Sequence, residues 1–162
     1  MKLKILWVGK TKSAPIKALT EEYLARIRRF TPCDTQEVRD LAKAQSLRPA
    51  DLVAAEGEEI SRHLQKSPAS RLVALDEGGR QFPSEGFARW LGRERDSGAR
   101  EIAFVIGGAE GLSRSISTKA HLVLSLGEMT WTHEMCRALL LEQIYRALCI
   151  LHKIPYHKGA AS

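Results

Sequence analysis

Two glycine-rich turns in the last third of the chain carry the residue types best suited to holding a ligand. The run FVIGGAEGL spans Phe104 to Leu112, and the run HLVLSLGEMTWTH spans His121 to His133. The GGAEG segment matches neither G-x-G-x-x-G nor a Walker A sequence, and it lacks the Lys-Ser/Thr pair that holds phosphate and magnesium. A single turn of this kind is usually a strand exit that needs a positive φ. Two in succession favour close approach of the backbone to a ligand, such as the adenine edge and ribose of a nucleotide.

Ionisable side chains follow these turns in a long helix and a polar tail. The helix predicted over Glu134 to Leu151 has four polar exceptions, which are Arg137, Glu142, Gln143 and Arg146. Because Glu142 and Arg146 are four apart, they form an intrahelical ion pair, or Arg146 instead faces a phosphate or base at a subunit interface. The tail from Pro155 to Lys158 adds an aromatic ring, an imidazole and a cation.

Metal and disulfide chemistry are not expected. His133 and Glu134 form an H-E pair, but the second histidine of H-E-x-x-H is missing, which excludes a zincin. The three cysteines, Cys33, Cys136 and Cys149, show no C-x-x-C spacing, and two of them lie within a helical apolar run. We therefore expect them to be buried as small hydrophobic residues.

Composition places the chain among ordinary soluble proteins. Its 162 residues fit one domain, with 44% hydrophobic and 27% charged residues. No apolar run approaches the roughly 18 residues that span a bilayer, and the N-terminus lacks a signal-peptide core, so we expect a cytoplasmic protein without membrane contact. The net charge of +6 favours an anionic partner, although a solvated basic surface is the plainer interpretation.

The hydrophobic pattern predicts five strands that alternate with five helices. The strands are Leu3 to Gly9, a weaker one around Gln36 to Leu41, Arg71 to Arg80 with turn chemistry from Asp76 to Gly79, EIAFVIGG from Glu101, and the run from His121. The helices begin near Ser13 and Ala50, at Ser84, between the last two strands, and at Glu134. In the first helix the predicted buried row is Ile16, Leu19, Tyr23, Ile27 and Phe30. In the second the row is Val53, Glu56, Ile60 and Leu64, of which only the apolar members argue for burial.

This alternation predicts an α/β layer fold with a mostly parallel sheet in one domain over 1–162. In such sheets the ligand lies outside the carboxyl ends of the strands. Three segments fall at that edge: Leu75 to Gly79, Gly107 to Gly111, and Gly127 to Thr132.

The last helix is apolar on almost every side. Its apolar members are Met135, Ala138, Leu139, Leu140, Leu141, Ile144, Ala147, Leu148 and Leu151. A surface helix has only one apolar stripe, so this one is either central to the core or shared with a second subunit.

The chain resembles a known family through FVIGGAEGL, LSLGEMTWTHEMCR, and LEQIYRA followed by PYHK. It is similar, over essentially its whole length, to the RlmH (YbeA-like) family of bacterial large-subunit ribosomal RNA pseudouridine N3-methyltransferases, the smallest SPOUT methyltransferases. Many members have serine at the position of Gly127 and proline at that of Thr132, departures that concern loop detail.

The resemblance implies a SPOUT-type sheet with helices on both faces and a C-terminal trefoil knot, an exception to the usual absence of knots. It implies that S-adenosylmethionine binds in the knot against Leu75, Gly107, Gly108, Leu126, Gly127, Glu128, Met129, Thr130 and Trp131. It also implies a homodimer whose partner contributes to each site. The implied substrate is a pseudouridine in the subunit-interface stem-loop of 23S rRNA, modified in the assembled ribosome.

Methyl transfer to a ring nitrogen is an in-line displacement, so catalysis is mostly alignment, and the N3 proton must also leave. The candidates that position the base or accept this proton are His133, Arg146, Tyr156 and His157. We favour the tail, where a loop base can stack on Tyr156 while Lys158 and Arg146 meet phosphates and His157 adds an imidazole. His133 can equally have a structural role at the helix start, and the tail can simply be a frayed end.

Two other functions fit the same residues. A non-catalytic ribosome-binding factor would keep the basic surface without binding the methyl donor. A ribose 2′-O-methyltransferase would bind the donor but modify the sugar.

Overall fold

A computed structural model describes residues 1–42, 46–66 and 71–157. Within these ranges the strands are β1 (Lys2–Val8), β2 (Cys33–Val38), β3 (Arg71–Arg80), β4 (Glu101–Ile106) and β5 (Leu122–Leu124). The helices are α1 (Ala14–Ile27), α2 (Pro49–Lys66), α3 (Ser84–Asp96), α4 (Arg114–Lys119) and α5 (His133–Leu151), and a 3₁₀ turn (Pro155–His157) follows. The predicted alternation of strands and helices is confirmed.

The five strands form one parallel sheet in the order β2-β1-β4-β3-β5. The central strands β1 and β4 are apolar and buried over almost their whole length. Strands with both faces covered by helices require this continuous apolar pattern, which is why their sequences do not alternate.

Helices cover both faces of the sheet and divide the core in two. On one face α1, α3 and α5 enclose a cluster that includes Phe104, Trp90 and Leu141. On the other face α2 and α4 cover a smaller cluster that contains Ile60, Ile116 and Val105. The α/β prediction with helices on both faces is therefore confirmed.

The buried face of α1 differs from the predicted row. Thr20, Leu24 and Ile27 are its buried residues, whereas Leu19 is 42% exposed. Tyr23 is only half-buried, because it meets the ring of Tyr145 on α5 and not the sheet. The helix is rotated towards α5, and this packing partner could not be read from the spacing within α1 itself.

Strand β3 continues through the segment for which a turn is predicted. It runs to Arg80, with a β-bulge between Leu75 and Arg80 in its pairing with β5. A β-carbon at Gly79 would lie 2.7 Å from the carbonyl oxygen of Val123, so glycine is needed for close approach of the two strands. Gly79 therefore allows the bulged pairing of β3 with β5 and does not end the strand.

In α2 the predicted row is only partly correct, because Ile60 is buried as expected but the acidic member of the row is buried as well. Glu56 is only 4% exposed, alongside the buried Leu52 and Ile60, while Val53 is half-buried. The acidic side chain is covered by the turn that follows β4, which the helical spacing does not reveal.

Helix α5 lies against the sheet between α1 and α3. It begins after Thr132, whose hydroxyl accepts the backbone N–H of Met135 at 3.2 Å. The sheet, α1 and α3 each cover one side of α5, which explains why the helix is apolar on three sides. Met135 and Leu139 are only half-buried. None of the helices within the described ranges is long and apolar enough to cross a membrane.

Candidate active site

A cavity of about 890 Å³ lies at the carboxyl ends of β3, β4 and β5. Its walls are residues 75–77, 106–112, 124, 126–127 and 129–134, together with Ile16 from α1 and Cys136 from α5. All three segments that the sequence places at this edge therefore meet around one space, whose volume is in the range of small-molecule sites.

The turn after β4 is folded back on itself. The backbone N–H of Gly111 donates to the carbonyl oxygen of Gly108 at 3.1 Å, and Gly111 has a φ of +90°. A β-carbon at Gly107 would lie 2.4 Å from the carbonyl oxygen of Gly111. Glycine at 107 is therefore required by the turn's own backbone, and the compact turn leaves peptide groups as part of the cavity wall.

The turn after β5 forms the opposite wall. Gly127 has a φ of +141°, and its peptide is held by Ser125, whose hydroxyl donates to the Gly127 carbonyl at 2.8 Å and accepts its N–H at 3.2 Å. Thr130 donates to the carboxylate of Glu77 on the β3 side. Met129 and Trp131 remain 74% and 40% exposed, so this wall presents apolar side chains to solvent.

The start of α5 closes the cavity and anchors the loop after β1. His133 is half-buried, and burial followed by the charge of Arg137 lowers its pKa. The Glu134 carboxylate accepts the backbone N–H groups of Lys12 (2.7 Å) and Ser13 (3.0 Å), which lowers the pKa of Glu134. These bonds satisfy amides at the start of α1, where Ser13 provides no side-chain cap.

Arg137 is completely buried beneath the same loop. Its guanidinium donates to the carbonyl oxygen of Val8 at 2.6 Å and to the hydroxyl of Thr11 at 2.8 Å, and it lies 5.1 Å from the centre of the Trp7 ring. From the sequence Arg137 stands out only as a polar exception in an apolar helix, and Glu134 only as part of an H-E pair. Their spacing of three on a helix was the available signal, because it places both side chains on one face.

The structure places most of the predicted cofactor residues at this cavity. Its walls include Leu75, Gly107, Gly108, Leu126, Gly127, Met129, Thr130 and Trp131. Glu128 is exposed and does not belong to the walls. Ile16 and Cys136 were missed because they come from helices whose position over the cavity is a tertiary feature. The role of all these residues in binding stays a prediction.

A second group of polar residues lies at the far end of α5; we call Tyr23, Glu142, Tyr145, Arg146 and Tyr156 the distal cluster. Arg146 donates twice to one oxygen of Glu142, at 3.0 and 2.6 Å, and lies 5.0 Å from the centre of the Tyr156 ring. The Tyr156 hydroxyl donates to Glu142 at 3.1 Å and lies 3.2 Å from the hydroxyl of Tyr23. The intrahelical ion pair of Glu142 with Arg146 is therefore present.

Tyr156 is not part of a frayed end, because it packs against α5. Its ring is half-buried and meets that of Tyr145 edge to face, with centroids 4.7 Å apart. Burial, and then the hydrogen bond with Tyr23, raise the pKa of Tyr156. His157 is the last residue of the 3₁₀ turn, and Lys158 lies outside the described residues.

The predicted substrate residues are divided between the two ends of α5. His133 and Arg146 are more than three helical turns apart, which at 1.5 Å per residue is roughly 20 Å along the axis. Neither Arg146 nor Tyr156 belongs to the cavity wall, so among the predicted catalytic residues whose side chains are described His133 alone lies there.

Of the three cysteines, Cys136 lies in the cavity wall. Cys33 and Cys149 are buried, as predicted, and burial raises the pKa of the half-buried Cys136 thiol. Across residues 1–42, 46–66 and 71–157, no cluster of three or more His, Cys, Asp or Glu side chains is placed to hold a metal ion.

Comparison with known proteins identifies relatives over almost the whole chain. Residues 1–157 match the family described as "Predicted SPOUT methyltransferase". The protein named "Ribosomal RNA large subunit methyltransferase H" from Trichlorobacter lovleyi is 46% identical over 157 residues, covering 97% of this chain and 99% of the relative. Its namesake from Geobacter metallireducens is 45% identical over 159 residues, with the same coverage.

Solved structures with the same architecture are much more distant in sequence. A methylase family protein from Haemophilus influenzae aligns with a TM-score of 0.56 at 13% identity, over 99% of this chain and 72% of that one. A methyltransferase from Legionella pneumophila, solved with bound cofactor SAM, aligns with a TM-score of 0.53 at 11% identity, over 91% of this chain and 66% of that one. At these identities the likeness concerns the fold alone.

Proposed function

The chain belongs to the SPOUT methyltransferase family, and from this premise we propose that it is an S-adenosylmethionine-dependent methyltransferase of large-subunit ribosomal RNA. The observation that carries the proposal is the cavity at the carboxyl edge of the sheet, walled by both glycine turns. The named relatives supply the substrate class, because this chain covers 99% of their length at 45% and 46% identity.

The residues present fit an adenosyl ligand. The β4 turn is glycine at 107, 108 and 111, so peptide groups can meet the edge of a base without intervening side chains. Leu75, Leu126 and Ile106 supply apolar surface for a ring. We assign the holding of the cofactor to the turns at 107–108 and 126–131 and to Leu75. The bound cofactor would supply an electrophilic methyl group on a sulfonium.

We propose that the acceptor is N3 of a pseudouridine in the subunit-interface stem-loop of 23S rRNA, modified in assembled ribosomes in the cytoplasm. The N3 proton must leave during transfer. We assign to His133 the acceptance of this proton on a ring nitrogen, and its lowered pKa favours the neutral imidazole that this role requires. Arg146 and Tyr156, with His157 and Lys158, are assigned to holding the RNA through phosphate contacts and base stacking. The net charge of +6 favours this partner.

A homodimer completes this proposal. Arg146 lies ten residues, roughly 15 Å, beyond Cys136, the last residue of α5 in the cavity wall, so in this proposal a second copy presents Arg146 and Tyr156 to the cavity. Four large apolar side chains, Leu19, Met129, Trp131 and Ile154, are 39% to 74% exposed and offer surface for such an interface. We also propose that 1–162 is one domain whose C-terminal part is threaded as a trefoil knot. Sedimentation at micromolar concentration should give a dimer, and a stable monomer of about 18 kDa would exclude the shared site.

The function is tested by methyl incorporation. Purified protein and tritiated S-adenosylmethionine are incubated with 70S ribosomes, isolated large subunits or naked 23S rRNA from cells that lack the corresponding enzyme. We expect label in 70S ribosomes, and mass spectrometry of the nucleosides should place it on the base of a pseudouridine. Label on a ribose would replace the proposed acceptor with a 2′-hydroxyl. Cofactor binding without label in any substrate would leave only a ribosome-binding role.

A further inference from the structure

Glu56 is a buried acid for which the proposed reaction has no use. It lies in the middle of α2 and is 4% exposed. Within the described part of the chain, no hydrogen bond or ion pair engages its carboxylate, whereas the completely buried Arg137 makes two hydrogen bonds. Burial of an acid without a partner is costly, so its position needs an explanation.

The carboxyl group of Glu56 lies directly against the glycine turn of the cavity. A β-carbon at Gly108 would be 2.8 Å from Oε2 and 3.2 Å from Oε1 of Glu56. The next residue of α2, Gly57, fits the other end of the same segment, where its β-carbon would lie 2.5 Å from that of Ser113. Two consecutive positions of α2 therefore support the turn at both ends, although Glu56 itself is not part of the cavity wall.

The charged groups that act on Glu56 are negative. Asp40, after β2, and Glu110, in the turn itself, face it, while the segment at the start of α4 presents the hydroxyls of Ser113 and Ser115 to the adjoining Gly57. Burial, and then these two carboxylates, raise the pKa of Glu56 to about 7. A neutral Glu56 is compatible with a closed turn, whereas an ionised one repels Glu110 and draws water towards Gly108.

We propose that Glu56 is a positioning residue for the cavity: its neutral carboxyl supports the 107–113 turn from the α2 side, and its ionisation loosens that turn and weakens cofactor binding. The support of the turn by Glu56 is inferred from the packing of α2 against it, and the effect on cofactor binding rests on the proposed function. Cofactor affinity then falls as the pH rises through neutrality, even though Glu56 does not touch the ligand.

The raised pKa of Glu56 also makes the folding stability depend on pH. The pKa is about 7 in the folded chain against 4.5 for an ordinary glutamate, so folding favours the protonated form. This contribution to stability is fully present below about pH 4.5 and is lost as the pH rises towards 7. Glu56→Gln keeps the shape of the neutral acid and should lose this pH dependence.

The test compares the wild type with Glu56→Gln and with Glu58→Gln, a control on the same helix whose side chain is 74% exposed. Titration calorimetry with S-adenosylmethionine at about pH 6 and about pH 8 should show wild-type affinity at least about threefold weaker at the higher pH. Glu58→Gln should behave in the same way, and Glu56→Gln should bind equally at both values. A pH dependence retained in folded Glu56→Gln would overturn the proposal.

Hydrogen exchange separates this inference from the proposed function, because it needs no ligand. After correction for intrinsic rates, amides of the 107–113 segment should exchange faster above pH 7 in the wild type, and Asp40→Asn should move that transition to lower pH. If the wild type binds no S-adenosylmethionine at any pH, the proposed function fails while the exchange data still decide the role of Glu56. Exchange in this segment that is independent of pH in the wild type would overturn that role.

Discussion

The cavity is formed largely by backbone, whereas the distal cluster is formed by side chains. At the cavity the chain presents backbone: Gly107, Gly111 and Gly127 are constrained by close approach or by positive φ. At the distal cluster it presents side chains that already bond to one another, with Arg146 and Tyr156 both engaged by Glu142. The first region has open space and pre-set peptide groups, and the second has charged and aromatic side chains.

The two regions therefore suit different kinds of ligand. A pre-formed cavity costs little reorganisation on binding, which suits a small ligand. The side chains of the half-exposed distal cluster must break hydrogen bonds with one another before they can bind a ligand. A large, charged ligand can offset this loss because it makes many contacts. The cavity lies at the start of α5, and Arg146 lies in the second half of this helix. We therefore expect substitutions in one region to leave the other region intact.

The largest effect is expected from Gly107→Val. Its β-carbon would lie 2.4 Å from the backbone oxygen of Gly111, so the turn must open. We expect S-adenosylmethionine affinity to fall by more than about a hundredfold in calorimetry, a loss of roughly 3 kcal/mol. Gly98→Ala is the matched control: it has a φ of +86° and no neighbour within 4 Å, so about 1 kcal/mol of stability should be lost without change in affinity. Equal affinity in folded Gly107→Val would remove the turn from the site.

Arg146→Ala should abolish methylation of ribosomes while leaving cofactor affinity within about twofold, because the residue is remote from the cavity of its own chain. A heterodimer of one Gly107→Val chain and one Arg146→Ala chain tests whether Arg146 acts at the cavity of the partner chain. If the partner supplies Arg146, one of the two sites in that heterodimer is intact. Differently tagged chains should then give about half of the wild-type activity, whereas both mutant homodimers give none. An inactive heterodimer would mean that the cavity and Arg146 act within one chain.

Tyr156 should show a smaller, divided effect. Tyr156→Phe removes the hydroxyl that bonds to Glu142 and Tyr23 but keeps the ring against Tyr145. Chemical denaturation should show a loss of about 1 kcal/mol in unfolding free energy. Tyr156→Ala also removes the ring, and methylation should fall by a further factor of about 10 or more, since a base–aromatic stack contributes roughly 1–3 kcal/mol.

The contacts of Tyr156 also predict the effect of truncating the chain before this residue. Deleting 156–162 should lower the free energy of unfolding measurably, by about 1–2 kcal/mol, in addition to abolishing methylation. Cofactor affinity should be retained in the truncated chain. Normal methylation by this chain would make the tail a structural appendage.

The smallest effect concerns Glu134 at the cavity end of α5. Because hydrogen bonds from the loop lower its pKa below 4.5, its contribution to stability is present above that value and is lost as the pH falls through the folded pKa. Glu134→Gln should therefore lower the melting temperature modestly at neutral pH, leave it almost unchanged at the acid extreme, and so flatten the acid side of a plot of melting temperature against pH. Glu128→Gln, an exposed neighbour, is the control. An acid branch identical to the wild type would mean that the carboxylate does not hold the loop.

Local patterns were sufficient for the elements and for the edge where the cavity lies. Apolar runs such as EIAFVI and the alternation with amphipathic helices predict buried parallel strands, and strand ends followed by glycine predict the segments at 107–111 and 127–132. These features depend on neighbours within a few residues, so spacing alone determines them. Recognition of the family through its motifs added the residues that the cavity brings together.

Contacts between distant segments were decided only by the tertiary structure. Glu56 and Arg137 are buried because a turn and a loop far away in the sequence cover them, and Leu19 is exposed because α1 is rotated towards α5. The separation of His133 from Arg146 was implicit in the length of α5, but its consequence required the position of the cavity. The sequence by itself determined which residues could do chemistry. The packing of the chain decided which of them meet, since burial and proximity depend on partners that local periodicity does not encode.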